Sequence, residues 1–357
     1  MSSLKNISLF HFKNYEQQTF LFEKEVVCLI GKNGVGKTSI LDAIYYLCFT
    51  KSYFVSNDSH CIKNGTQGMF IKGEFDDNRE VKCIIRENGK KEFSCDDEVY
   101  SKLSSHIGKY SCVMIAPDDT QLITEGSELR RKFLDGMIAQ IDPVYLQHIS
   151  SYAKLLVQRN AYLKSCKGEI PVDLTLLKLY NEQLNHHAEP IVMKRKFFVE
   201  KLIEEATHIY QVLANDIEEI KIEYDSKLLN DSLLNLLETN LFKDVVTART
   251  NYGIHKDDLA FTMNGMPLKQ VASQGQRKSF LFALKLAQYQ LLHQYLAQKP
   301  ILLLDDIFEK LDESRSEKLI QYVKGLHTQL FITDTQKHRV QKECRDFEQD
   351  IQFVEIV

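Results

Sequence analysis

The chain has 357 residues, 44% of them hydrophobic and 26% charged, ordinary for a globular protein that buries a core in one large domain or two smaller ones. Its formal net charge is −4 and its pI about 6.3, so no global basic field draws in nucleic acid, and any such contact must come from a local patch. No apolar run reaches membrane-spanning length, the N-terminus lacks a signal peptide's charged-then-apolar layout, and the eight cysteines are scattered without a CxxC, a pattern of reduced thiols in a cytosol.

Residues 4–12 and 18–22 read as two short strands around Lys13-Asn14-Tyr15. The run 25–30 is short, apolar and rich in β-branched residues, as in a buried parallel strand. It leads into Gly31-Lys32-Asn33-Gly34-Val35-Gly36-Lys37-Thr38, after which apolar residues recur at helical spacing through Leu47. The stretches 69–75, 81–86 and 92–95 look like antiparallel strands, the last two joined at Asn88-Gly89, and 110–116 reads as a second buried strand ending at Pro117.

Strand content then stops for about a hundred residues, a composition shift that suggests an inserted lobe. Ser127 is a candidate N-cap there, and Asp142-Pro143 is a cap followed by a first-turn proline, with helical spacing from Val144 to Ser165. A second long helical stretch starts near Leu174, after Gly168–Pro171, and Pro190 is expected to kink or interrupt it. The apolar stripes are too short and irregular for a long coiled coil, so a helical hairpin or small bundle is expected. His186-His187 lacks metal-site spacing and reads as surface.

Strand alternation returns over 217–224, and Leu259–Met263 and Leu268 flank an Asn264-Gly265 turn. Ser273-Gln274-Gly275-Gln276 opens a helix running to about Tyr295, and Ile301–Leu304 runs into Asp305-Asp306. Asp312 caps a helix ending near Gly325, and 330–333 is one more buried strand. The expected organisation is a head in two parts, 1–125 and 246–357, interrupted by a mostly helical lobe at 126–245.

Gly31–Thr38 matches GxxxxGK[ST] with a strand before it and a helix after it, the context the motif requires. Its glycines let backbone N–H groups turn inward around a polyphosphate, and the helix start adds positive potential. Lys37 would reach the β- and γ-phosphates and the Thr38 hydroxyl would hold Mg²⁺. In that context the loop is a nucleoside triphosphate site rather than a mere glycine-rich turn. Asp305, a carboxylate at a parallel strand's C-terminal end, can hold the water shell of Mg²⁺ beside such a loop. Asp306 then points near the γ-phosphate, where it could orient or deprotonate the attacking water. Without the loop, the pair would read as a strand capped by solvated carboxylates. Ser273–Gln276 offers a second set of helix-start N–H donors suited to an anion, and equally reads as an ordinary Ser-capped helix.

The ordered set Gly31–Thr38, Ser273–Gln276, Ile301–Asp306 and Leu311-Asp312 is similar to an ABC-type ATPase head of the class that includes the SMC proteins. More narrowly, the chain resembles the RecF family of bacterial DNA replication and repair proteins. The matching stretches are Phe12-Lys13-Asn14-Tyr15, Ile115-Ala116-Pro117-Asp118-Asp119, Arg130–Asp135, Gln158-Arg159-Asn160, Gly253–Leu259 and Asp305–Asp312, so the similarity covers essentially the whole chain. The resemblance implies an α/β fold, an ABC-type P-loop ATPase head with a mixed sheet core and an antiparallel subdomain, carrying an inserted mostly helical lobe. It implies a homodimer meeting head to head, with each of two ATP molecules between one chain's phosphate loop and the other's Ser273–Gln276. It further implies ATP-dependent DNA binding in gap repair, replication and SOS induction, with recombination mediator proteins that place the recombinase on single-stranded or gapped DNA. A weak, DNA-stimulated ATPase is expected, because Asp306 stands where many such ATPases place the longer Glu.

Several positions depart from that pattern. No His stands in 330–335 where transporter ATPases carry a switch, so γ-phosphate sensing would fall to Asp334 or Thr335. Lys13 replaces an arginine, keeping the charge and losing bidentate geometry. Ile254 stands where proline is common, and Gln121 is the nearest candidate for a switch-loop glutamine, or else plain surface. Candidate DNA-phosphate contacts are Arg130-Arg131-Lys132, Lys194-Arg195-Lys196, Arg159, Lys164 and Lys167. Lys194–Lys196 also reads as a solvated helix face, and Arg130-Arg131 as a link between lobe and nucleotide. The rival reading is an ATPase subunit of a membrane transporter; the missing His, the helical insertion and the family motifs favour the DNA clamp. No arm is long enough for an extended coiled coil, which sets aside a longer SMC-type protein.

Overall fold

The computed structural model describes residues 3–166, 173–214, 219–308, 313–347 and 350–357. In chain order, β1 (Leu4–Phe12), β2 (Tyr15–Leu21) and β3 (Val26–Ile30) precede α1 (Lys37–Phe49), and β4 (Met69–Phe75), β5 (Glu80–Ile85), β6 (Lys91–Cys95) and β7 (Glu98–Val99) precede β8 (Cys112–Ile115). Helices α2 (Gln121–Thr124), α3 (Ser127–Ile141), α4 (Pro143–Ser165) and α5 (Leu174–Ala214) follow. Next come β9 (Ile220–Asp225), α6 (Leu233–Thr239), α7 (Leu241–Thr247), β10 (Asp258–Met263), β11 (Met266–Pro267) and α8 (Leu268–Val271). The last elements are α9 (Gln274–Leu296), β12 (Ile301–Leu304), α10 (Glu313–Lys324), β13 (Leu330–Asp334), α11 (Lys337–Glu343) and β14 (Ile351–Glu355). Lys167, Gly168–Pro171, Leu311 and the expected cap Asp312 lie outside the described residues.

Two compact units result, one of Met1–Thr120, Glu205–Ile217 and Ala272–Val357, the other of Gln121–Glu204 and Glu218–Val271. The first unit holds a five-stranded sheet in the order β14-β3-β13-β12-β8, parallel at every pairing, and a six-stranded antiparallel sheet, β2-β1-β4-β5-β6-β7. Parallel and antiparallel pairing are thus divided between two sheets rather than mixed within one. Strands β3, β8, β12 and β13 are buried along their whole length, as parallel strands covered on both faces must be. Helix α1 packs on β1, β4 and β5 of one sheet and on β8 and β13 of the other, which is why it carries apolar residues all round. Because the parallel strands share one direction, the loops after β3, β12 and β13 emerge on the same edge, and the site is built there.

The second unit consists of α2–α4, most of α5, the small helices α6–α8 and the sheet β11-β10-β9. The sequence boundaries at 125 and 245 shift accordingly. Residues 246–271 join the lobe because β10 pairs with β9 over its full length, whereas Glu205–Ile217 joins the head, where Tyr210 meets Phe280 edge-to-face at 6.1 Å. Ser127 is the first helical residue of α3, and Gly126 takes the cap position without a side-chain bond. Asp142 caps α4 as expected, accepting from the N–H groups of Val144 and Tyr145.

Pro190 does not interrupt α5, which runs 41 residues through it. A proline in a helix interior costs about 3 kcal/mol. The same helix buries Leu184, Ala188, Ile191, Phe198, Val199 and Leu202, and two large apolar side chains at roughly 1.5–3 kcal/mol each already offset that cost. His186 and His187 are joined by His148 of α4, whose Nδ1 lies 3.0 Å from Nδ1 of His187. No cluster of three or more potential ligands among the described residues is arranged to hold a metal. All eight cysteines are buried free thiols, and no described helix is long and apolar enough to cross a membrane.

Candidate functional site

The loop Gly31–Thr38 leaves β3 and enters α1 through Gly36, whose φ of +111° belongs to the left-handed side that glycine tolerates. A Cβ at Gly36 would also stand 2.9 Å from the Tyr15 hydroxyl. The turn between β1 and β2 braces this loop from outside: the Asn14 amide donates to the Gly34 carbonyl at 2.8 Å and the Tyr15 hydroxyl to the Gly36 carbonyl at 3.1 Å. Lys13 faces the other way. Its ammonium lies 2.6 Å from the fully buried Asp42 of α1, which also accepts from the Ser52 hydroxyl and the Tyr53 N–H. The charge retained at position 13 therefore ties the hairpin to α1.

On the inner side, the Lys37 ammonium donates to the carbonyls of Gly31 and Lys32 at 2.9 and 3.0 Å, and so lies across the loop. The Thr38 hydroxyl sits 3.0 Å from both carboxylate oxygens of Asp305. Burial pushes the Asp305 carboxyl up from its usual range, while hydrogen bonds from Thr333 and Thr38 pull it down. A buried carboxylate, a hydroxyl and a helix start with no acidic residue in its first turn form a hard-oxygen donor set beside an anion cradle, which fits Mg²⁺ and a polyphosphate. Asp306 follows with φ +45°, and its backbone N–H donates to the Thr333 hydroxyl at 2.9 Å. A cavity of about 20 Å³, room for one water, opens beside Asp305 and Asp306 against Pro117, Lys278 and Phe282.

Ser273 caps α9 in a reciprocal box: the Gln276 N–H donates to the Ser273 hydroxyl at 3.2 Å and the Ser273 N–H to the Gln276 side chain at 2.6 Å. The anion site read from the sequence is smaller than expected, because this box uses two of the donors; those of Gln274 and Gly275 have no intrahelical acceptor. Deeper in α9, the Lys285 ammonium reaches the Tyr53 hydroxyl at 2.8 Å, the Met114 carbonyl at 3.0 Å and Asp119 at 3.2 Å. The 115–119 motif thereby fastens the end of β8 to α9.

Asp334, expected as a phosphate sensor, is fully buried and held by Arg339 through bonds of 2.9 and 2.8 Å and by the Gln336 N–H. Its carbonyl accepts from the Gly31 N–H, so it anchors the loop's first residue. Thr335 is half-buried, and Gln121 is exposed at the start of α2.

The basic clusters of the lobe split in two. Arg195 is 2% exposed and pairs with Asp135 and Asp257 at 2.9 and 2.7 Å, also donating to the Ile254 carbonyl. Arg130 forms a bidentate pair with Asp258, and Arg131 donates to the Asp257 carbonyl. Fully buried Arg159 pairs with Asp244, Asn181 and Thr250. Arg130, Arg159 and Arg195 are buried and their guanidinium groups are taken up inside the lobe, which counts against reading them as DNA contacts, whereas Arg131 is half-buried; Arg130, Arg131 and Arg195 converge on the Gly253–Leu259 motif. Lys196 and Lys164 are exposed, and Lys194 pairs with Asp142 while half in solvent. A sequence signal existed: Arg195 falls on the apolar stripe of α5 between Ile191 and Phe198, whereas its lysine neighbours do not. Arg195→Ala should lower unfolding stability by about 3–5 kcal/mol, since it strands two carboxylates, whereas Lys196→Ala should change it by less than about 0.5 kcal/mol. Urea denaturation of the two variants checks this.

A phosphate loop joined to a strand-end carboxylate, with a Ser-capped helix start on the same parallel-sheet unit, defines an ABC-type P-loop ATPase head. Comparison with known proteins narrows this. The RecF/RecN/SMC N-terminal domain family matches residues 3–352. The DNA replication and repair protein RecF of Flavobacterium johnsoniae is 43% identical over 342 residues, 95% of each chain, and that of Cytophaga hutchinsonii is 40% identical over 352 residues, 96% of this chain and 93% of the relative. A solved structure of the recombination mediator protein RecF-ATPrS in the RecFOR pathway aligns with a TM-score of 0.88 at 27% identity, covering 100% of this chain and 96% of the other. The chain belongs to the RecF family of DNA replication and repair proteins.

Proposed function

We propose that this chain is an ATP-dependent DNA-binding protein of recombinational gap repair, replication and SOS induction. Two copies pair head to head around two ATP molecules, and the closed pair helps mediator proteins load the recombinase on single-stranded or gapped DNA. The observation that carries the reading is the contact between Thr38 and both oxygens of Asp305, which unites the phosphate loop and the strand-end carboxylate in one donor set. A transporter subunit is not favoured, since the relatives matched over 95% and 93% of their length are DNA replication and repair proteins.

In this mechanism the N–H groups of Gly34–Thr38 and the Lys37 ammonium bind the phosphates, and Thr38 and Asp305 would hold Mg²⁺, which when bound would neutralise charge on the transferred phosphoryl group. Asp306 orients or deprotonates the attacking water, and its short side chain makes turnover slow. The remaining donors at Gln274 and Gly275 of one copy cap the phosphates bound by the other, so loss of the terminal phosphate weakens the pairing. Gly275 supports this picture. It sits in the first turn of α9, and among the described residues a Cβ there would meet only Arg315, at an ordinary 3.4 Å. Among the described residues nothing at that spacing requires glycine, and a close approach from a second copy would account for it. Gly275→Glu should therefore fold, bind ATP as a monomer and fail to pair, as measured by ATP titration alongside sedimentation.

Of the candidate cations read from the sequence, Lys132, Lys164, Lys194 and Lys196 are exposed and can take DNA phosphates, Lys132 beside Glu128 and Lys194 beside Asp142. A gel shift with gapped DNA tests the function: binding should require ATP and weaken steeply with salt. Absence of any shift at low salt with ATP and Mg²⁺ would contradict it.

A further inference from the structure

Strand β13 lies between β3 and β12, and its pairing of Ile332 with Leu304 brings Thr333 level with Asp305. Thr333 is fully buried. Its hydroxyl donates to Asp305 Oδ1 at 2.7 Å and accepts from the Asp306 N–H at 2.9 Å. A hydroxyl has one proton and two lone pairs, and here the proton goes to one acidic residue while a lone pair serves the backbone of the next. Both contacts matter to geometry. Asp305 also takes the Thr38 hydroxyl, so two hydroxyls from α1 and β13 fix the orientation of one carboxylate. Asp306 has the left-handed φ of +45°, which a non-glycine residue holds against strain, and the N–H bond to Thr333 is part of what holds it there.

We propose that Thr333 is a positioning residue for ATP hydrolysis: with one hydroxyl it aims the Asp305 carboxylate toward the metal side of the site and the Asp306 backbone toward the water side. The proposal rests on the ATPase reading above. Asp334 cannot share this role, because Arg339 and Gln336 already occupy its carboxylate. Thr333 acts through Asp305 and Asp306, so its removal should spare binding of the nucleotide itself and impair what depends on those two groups.

The experiment uses the full chain with Thr333→Val, near-isosteric without the hydroxyl, and Thr333→Ser, which keeps it. A fluorescent ATP analogue is titrated with and without MgCl₂, hydrolysis is measured at saturating ATP, and melting is followed in parallel. Thr333→Val should bind the analogue without Mg²⁺ within about 2-fold of the parent, gain about 10-fold less affinity on adding Mg²⁺, and show kcat reduced about 10- to 100-fold with KM little changed. Thr333→Ser should restore both properties to within about 3-fold. A Thr333→Val protein with parental Mg²⁺ dependence and kcat overturns the proposal. So does a Thr333→Ser protein that loses kcat and Mg²⁺ dependence, because packing of the methyl group is then responsible; this arm decides even if the valine variant does not fold. A parent that binds no ATP overturns the ATPase reading and this proposal with it, and that result is separable from the other two.

Discussion

Lys37→Ala is expected to bind ATP roughly 100-fold more weakly than the parent, leaving little binding at concentrations that just saturate the parent. The ammonium already lies across the loop on the carbonyls of Gly31 and Lys32, so its position is set by the fold. It is the charge that the phosphates would meet, and losing a charge-assisted contact of about 3 kcal/mol lowers affinity roughly 100-fold. Because the proposed pairing of two copies depends on the same ligand, the variant should also remain a single subunit with ATP present. Calorimetric titration with ATP checks the first effect, with a parallel melt to show that the buried Lys37 stem is not essential to folding. Binding within about 3-fold of the parent would remove Lys37 from the site, since less than about 1 kcal/mol would then rest on it.

Asp306→Asn should keep ATP binding and slow hydrolysis by about 10²- to 10⁴-fold, the range that a positioned proton acceptor contributes. Asparagine tolerates the left-handed backbone at 306 about as well as aspartate, and it keeps the N–H that Thr333 accepts, so the substitution removes charge without disturbing the turn. The expected species in solution is a long-lived pair of subunits held by unhydrolysed ATP. Single-turnover hydrolysis followed by size analysis checks both parts. An Asp306→Asn protein that hydrolyses ATP at the parental rate would show that the water is activated elsewhere.

The parts of the site written in consecutive residues are legible in the amino-acid sequence alone. The phosphate loop, the apolar run into Asp305-Asp306 and the serine that caps α9 each carry a local pattern, because a strand, a tight turn and a helix start impose their residue types within a few positions. Thr333 has no such pattern. Its role comes from the register of β13 against β12, which places it beside a residue 28 positions earlier in the chain. The same holds for Asp334, which reads as a sensor in the sequence and is an anchor for Gly31 and Arg339 in the fold.

The lobe misleads in a different way. Lys194-Arg195-Lys196 looks like one basic cluster, yet consecutive helical residues are turned about 100° apart, and the middle one points into the core. Pro190 carries a strong local signal for a helix break, and the burial of Leu184, Ala188 and Ile191 around it outweighs that signal. In both cases the competing term is tertiary packing, which short windows of sequence do not contain.

The central claim is that ATP joins two copies of this chain through the loop of one and the α9 start of the other. Sedimentation equilibrium with Mg²⁺ and a non-hydrolysable ATP analogue tests it most directly. The account predicts one subunit of 41.4 kDa without nucleotide and a species of twice that mass with it, lost again in Gly275→Glu. The same 41.4 kDa species with and without the analogue, at concentrations well above the dissociation constant for nucleotide, would contradict it.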